Sequence, residues 1–116
     1  MADLFRLVTD QSVNIIEMEL PEYLDSTEFD RLNESLMGLF DGKKHQAWIF
    51  DLTNVRYMGS AMLGMMVNFR QRVNSVKGRL ILCGVSPRLL DIIETCCMDR
   101  LFPIAKTRAD AIKMAK

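Results

Sequence analysis

One stretch of the chain gathers the residues best placed to act: Asp51-Leu52-Thr53-Asn54-Val55-Arg56-Tyr57-Met58-Gly59-Ser60-Ala61-Met62-Leu63-Gly64-Met65-Met66-Val67. A buried strand feeds a loop, and the loop delivers the hydroxyl of Ser60 to the start of a helix. First-turn N–H groups there lack helical partners, and the helix dipole presents its positive end. A phosphate added to Ser60 would be accommodated without melting the helix. The alternative is that Ser60 only caps the helix, because serine is favoured at that position on stability alone. Met62, Leu63, Met65, Met66 and Val67 put more apolar side chains on the first two turns than one inward face absorbs. Some of them are therefore expected at the surface. With Met58, Gly59, Ser60 and Ala61 they would form a methionine-rich protein-docking patch beside a switchable hydroxyl. Packing in the core, or against a second copy in a homodimer, is the competing use of the methionines.

Catalytic chemistry finds little to work with. The six glycines are scattered, and none opens a phosphate-cradling loop ending in Gly-Lys-Ser/Thr. The single histidine, His45, stands among Lys43, Lys44 and Gln46 and is expected as a solvated residue at a strand edge. A serine nucleophile would have no other base. Asp51, Asp91 and Glu94 show no evident partner in the sequence and are expected as solvated or capping carboxylates. Cys83, Cys96 and Cys97 are odd in number, and their spacing suits neither a disulfide framework nor a zinc site. They are expected as reduced thiols in or near the core, with a redox role for the adjacent pair as the alternative. No metal or cofactor is implied, and the expectation is a binding module that is not an enzyme.

At 116 residues, with 49% apolar and 26% charged residues, the chain has the size and composition of one self-sufficient globular domain. Fifteen basic residues balance fifteen acidic ones, so no net charge draws it to nucleic acid or an anionic membrane. Asp3, Asp10, Glu17 and Glu19 interrupt the first twenty residues, so no signal peptide is expected. No run approaches the roughly 20 apolar residues of a membrane span. A soluble, cytoplasmic protein without membrane insertion is expected.

The elements that must position the segment follow from periodicity and punctuation. Leu4 to Thr9 and Val13 to Leu20 read as strands joined by the short polar turn Asp10-Gln11-Ser12. Asp25 or Ser26, with Glu28 three residues after Asp25, opens a helix carrying Phe29, Leu32, Leu36, Leu39 and Phe40 inward; Asp41-Gly42 stops it. Ala47 to Leu52 is a nearly continuous apolar run, the pattern of a strand buried on both faces. The second helix runs from Ser60 to about Val76, with Met62, Met66, Phe69, Val73 and Val76 inward and Asn68, Gln71, Arg72 and Ser75 outward. Arg79 to Gly84 is a further buried strand. Ser86-Pro87 starts a helix to about Thr95. Leu101 to Ala105 is a last short strand, and Thr107 caps a terminal helix. The order β-β-α-β-α-β-α-β-α predicts an α/β fold: a mixed sheet of four to five strands with about four helices and right-handed crossovers, in one domain spanning residues 1–116. Trp48, Phe50, Leu80 and Leu82 should be among its most buried residues.

The same segment carries a family resemblance. Asp51-Leu52-Thr53-Asn54-Val55 followed by Gly59-Ser60-Ala61-Met62-Leu63-Gly64 resembles the STAS pattern Asp-Leu/Phe-Ser/Thr-x-Val, then Asp-Ser-Ser-Gly-Leu-Gly. Lys77 to Cys83, Ser86-Pro87 and Phe102-Pro103-Ile104 resemble its later landmarks, so the likeness covers nearly the whole chain. Within that family it resembles specifically the single-domain anti-sigma-factor antagonists of bacteria. That resemblance implies the STAS fold and a partner that is an anti-sigma factor or kinase-type ATPase protein. It further implies phosphorylation of Ser60 by that partner, release of the complex, and restoration by a phosphatase. Here Gly59 replaces the acidic residue, Ala61 the second serine and Met62 the glycine. The alternative is therefore a STAS subunit of a transport ATPase complex or stress-signalling assembly that binds without being phosphorylated.

Overall fold

In the computed structural model, residues 4–21 and 23–116 are described. Five strands form one sheet in the order β1-β2-β3-β4-β5: β1 Phe5–Asp10, β2 Val13–Glu19, β3 Ala47–Asn54, β4 Arg79–Cys83 and β5 Ile104–Ala105. β1 runs antiparallel to β2, and β2 through β5 are mutually parallel. The β1–β2 turn is two residues, Gln11 and Ser12, both at positive φ (52° and 67°), so it matches the strand twist without a glycine.

Four helices, α1 Ser26–Leu39, α2 Ser60–Ser75, α3 Pro87–Thr95 and α4 Arg108–Ala115, connect and follow the parallel strands. Each start uses the chemistry its sequence offers. Asp25 Oδ1 accepts the Glu28 N–H at 2.7 Å and Glu28 Oε1 accepts the Asp25 N–H at 3.4 Å, a reciprocal capping box. Ser86 Oγ caps α3 with Pro87 in its first turn, and Thr107 Oγ1 caps α4.

The period-2 alternation of the strands divides the core in two. Ile16, Met18, Trp48, Phe50, Leu52, Leu80 and Leu82 pack with α1, α2 and α3 on one face. Ile15, Ile49, Ile81, Cys83 and Ala105 pack with Ala111 and Ile112 of α4 on the other. Trp48, Phe50, Leu80 and Leu82 are buried as predicted. Phe69 of α2 sits at the centre, edge-on to Trp48 with ring centroids 5.2 Å apart. The predicted outward residues of α2, Asn68, Gln71, Arg72 and Ser75, are exposed.

Two expectations need correction. β5 is shorter than the predicted 101–105 because Met98–Arg100 winds into a 3-10 turn. Pro103 also has no N–H with which to extend the ladder, and the Leu101 carbonyl accepts from Arg70 Nε at 2.5 Å instead. Cys83 is buried, but Cys96 and Cys97 are exposed, since they follow the last turn of α3 instead of lying on its inward stripe. No helix among the described residues is long and apolar enough to cross a membrane.

Candidate protein-docking site

Every parallel strand hands its chain to a helix at the same edge of the sheet. The segments 20–21 with 23–25, 55–59, 84–86 and 106–107 therefore gather on one rim, where sheets of this type place their sites. The central hand-over, from β3 to α2, carries Ser60.

It begins with a bulge. β2 pairs Glu17 with Asp51 and then Glu19 with Asn54, so β3 spends one more residue than its neighbour just after Asp51. The Asp51 carboxylate holds that kink. Its Oδ1 accepts the Thr53 N–H at 3.1 Å and the Thr53 hydroxyl at 2.6 Å. Its Oδ2 accepts Arg108 Nε at 3.1 Å and Nη2 at 2.7 Å. Arg108 also binds Glu17, which in turn accepts Arg6 Nε at 2.8 Å. Gly84, at φ +69°, lies so close that a Cβ there would collide with Thr53 Oγ1.

Of the expectation of a solvated or capping Asp51, the solvated part is corrected: the residue holds the Thr53 N–H but is only 8% exposed and is also paired with Arg108. Burial pushes its pKa up, but the bonds from Thr53 and Arg108 outweigh that and hold the carboxyl below its ordinary range. The Arg108 and Arg6 hydrogen bonds lower Glu17 likewise, and its bonds to Glu17 and Asp51 raise Arg108. Burial and the Asp51 charge push the Cys83 thiol up to about 12, which leaves it inert. Asp91 and Glu94, by contrast, are exposed as expected.

Beyond the bulge, Val55 donates to Leu52 O at 3.0 Å, and the buried Val55 and Met58 side chains pin the loop to the core. Tyr57 between them turns outward, 43% exposed, with the Arg88 guanidinium 6.0 Å from its ring centroid. Gly59, in extended conformation, is the residue that precedes the helix, and it offers no side-chain cap. Ser60 is therefore the first helical residue and not the cap. It is exposed, and its hydroxyl has no hydrogen-bond partner among the described residues.

The methionine patch is a correction. Met58, Met62, Leu63, Met65 and Met66 are all buried, Met62 being the most open at 7%. The reason is topological. The crossovers place α2 between α1 and α3 on one face of the sheet, so its flanks are covered as well as its underside. An apolar arc too wide for one contact is used on three sides.

What remains open in this segment is Arg56, Tyr57, Ser60 and Ala61, with Gly59 half-buried. Beside them an apolar groove of about 390 Å³ runs between the β2–α1 and β3–α2 segments, lined by Leu20, Tyr23, Leu24, Phe29, Tyr57 and Ala61 among others. Tyr23 is 78% exposed. Aromatic side chains flanking a hydrophobic slot next to a free hydroxyl suit recognition of another protein.

The exposed large hydrophobic side chains beside Ser60 are these tyrosines, not the methionines that the sequence pattern favours. An aromatic in a loop flanked by chain-turning residues, as in Pro21 to Asp25, was the signal available. Nothing local pointed to Arg108. No group of three or more His, Cys, Asp or Glu residues able to hold a metal occurs among the described residues.

A four-stranded parallel sheet with one antiparallel edge, three helices on one face and one on the other defines a small mixed α/β domain with a serine exposed at its rim. Known proteins narrow it further. The chain belongs to the STAS domain family, whose match spans residues 6–111. It is 24% identical over 106 residues to BtrV of Bordetella bronchiseptica, named provisionally as an anti-sigma factor antagonist; the match covers 91% of this chain and 90% of that protein. Its fold superposes on the anti-sigma-factor antagonist (STAS) domain protein of Planctomyces limnophilus with a TM-score of 0.84 at 22% identity, covering 97% of each chain. It superposes on a Thermotoga maritima protein, also provisionally titled an anti-sigma factor antagonist, with a TM-score of 0.78 at 18% identity, covering 96% of this chain and 93% of the other.

Proposed function

We propose that this chain is a regulatory docking module of the anti-sigma-factor antagonist kind, working by capture of a protein partner and not by catalysis. The partner is an anti-sigma factor with a kinase-type ATPase fold, bound in the cytoplasm through Tyr57, Ser60, Ala61 and the adjoining groove. Phosphorylation of Ser60 releases it.

One observation carries this reading: Ser60 stands exposed at the first position of α2 with its hydroxyl unused, the capping place being filled by Gly59. A serine retained for stability would be expected to cap. The first turn contains no acidic residue, so nothing on the helix already offsets its positive end. A phosphate of nearly two negative charges is thus accommodated in the free chain, while the same charge pressed into an apolar contact is costly to desolvate. The switch separates binding from stability.

Gly59 in place of the family's acidic residue favours a second reading, a constitutive docking subunit of a transport or stress-signalling assembly whose serine is never modified. Affinity capture from the cell that makes the chain, with mass spectrometry of the captured partner and of the Ser60 peptide, separates the two. The first reading expects a kinase-type ATPase and a phosphorylated Ser60 peptide in the released fraction. A transporter subunit, with Ser60 unmodified throughout, supports the second.

A further inference from the structure

We propose that Arg108, at the start of the C-terminal helix, is a positioning residue for the Ser60 loop. The inference rests on the reading of that loop as the docking face, but its mechanism lies in the rim below it.

The bulge after Asp51 sets the direction in which β3 leaves the sheet, and the chain has only residues 55–59 before Ser60. Asp51 Oδ1 makes the bulge by gathering the Thr53 N–H and hydroxyl. That geometry needs the carboxylate plane fixed. Oδ2 is fixed by two nitrogens of one guanidinium, and the guanidinium is itself held by Glu17 on the neighbouring strand. Glu17, Asp51, the Thr53 hydroxyl and Arg6 bond within this cluster, Glu19 lines the same cleft, and the Cys83 thiol feels the charges of both Asp51 and Arg108. Arg108 thereby ties β2, β3 and α4 at the point where the loop departs. α4 covers the opposite face of the sheet from α2, so a residue that touches neither Ser60 nor the groove governs where they sit. Packing alone would not need this arrangement, because Ala111 and Ile112 already anchor α4.

The test is amide hydrogen exchange by NMR on the free, full chain, comparing the parent with Arg108→Met, Arg108→Lys, Thr53→Val and the Arg108→Met/Thr53→Val double variant. The informative amides are Thr53, bonded to Asp51 Oδ1, and Val55, bonded to Leu52 O. Gly78 and Arg79, bonded to Val73 O and Gln46 O at the far end of the sheet, are the reference. Arg108→Met, which removes both guanidinium bonds to Asp51 Oδ2, should speed Thr53 and Val55 exchange at least about tenfold and leave Gly78 and Arg79 within about twofold. Arg108→Lys, a point charge without the fork, should fall between parent and Met. The double variant should exchange at Val55 within about twofold of Arg108→Met, because both changes act through Asp51. Unchanged Thr53 and Val55 amides, or equal acceleration everywhere, would overturn the proposal and leave Arg108 as a stability residue. Since no partner enters the experiment, its failure is distinct from failure of the docking reading, which Ser60→Asp tests.

Discussion

Met66→Lys is the sharpest perturbation of the packing around the docking face. The side chain is 1% exposed, between the sheet and the flanking helices. Replacing it removes about 1.5–3 kcal/mol of apolar burial. The new ammonium has no carboxylate in that cluster to meet, and whether it stays charged or gives up its proton, the effective penalty is several kcal/mol. Together the loss is about 4–8 kcal/mol. A domain of 116 residues holds about 6–17 kcal/mol in all. If the parent holds the lower figure the variant should be largely unfolded, and if it holds the upper one the urea midpoint should fall by about a quarter to a half. Ala61→Lys, five positions earlier and exposed, should cost under about 1 kcal/mol, mainly because a cation sits poorly at a helix N-terminus. Urea denaturation followed by circular dichroism reads both. A Met66→Lys variant within about 1 kcal/mol of the parent would mean that Met66 reaches solvent, and the buried three-sided packing of α2 would be refuted.

Other expectations are independent of that one. Gly84→Ala should cost about 2–4 kcal/mol by urea denaturation, from the positive φ together with the collision against Thr53; a cost under about 1 kcal/mol would contradict the tight approach there. A thiol reagent should titrate Cys96 and Cys97 in the native chain and reach Cys83 only after denaturation; three equally fast thiols would be inconsistent with a buried Cys83. The carboxyls of Asp51 and Glu17 titrate below their ordinary values in the folded chain, so the stability they contribute is present above about pH 4 and is lost as pH falls through the folded values. The melting-temperature gap between the parent and Arg108→Met should accordingly be full at pH 7 and close on acidification; a gap independent of pH would assign it to packing.

Local signals carried most of the fold. The capping residues Asp25, Ser86 and Thr107, the apolar runs of β3 and β4, and the 3.6-residue stripe of α2 each act over a few residues. Periodicity therefore found their elements, and the family motif found the rim. What failed was non-local. The methionines of α2 looked too many for one face because a sequence window cannot show helices on both flanks. Asp51 looked unpartnered because its partner lies 57 residues away, at the start of a helix on the other side of the sheet. The exposed tyrosines of the groove were overlooked because exposure in loops follows from which side chains anchor the loop, here Val55 and Met58 around Tyr57.

The central claim concerns Ser60, and the most direct measurement is the affinity of the captured partner for the parent, Ser60→Ala and Ser60→Asp at matched thermal stability. The docking reading expects Ser60→Ala to bind like the parent and Ser60→Asp to bind at least about tenfold more weakly, a loss of about 1.4 kcal/mol or more, with melting temperatures unchanged. Equal affinity for all three would contradict it, leaving a docking module whose serine plays no part in the switch.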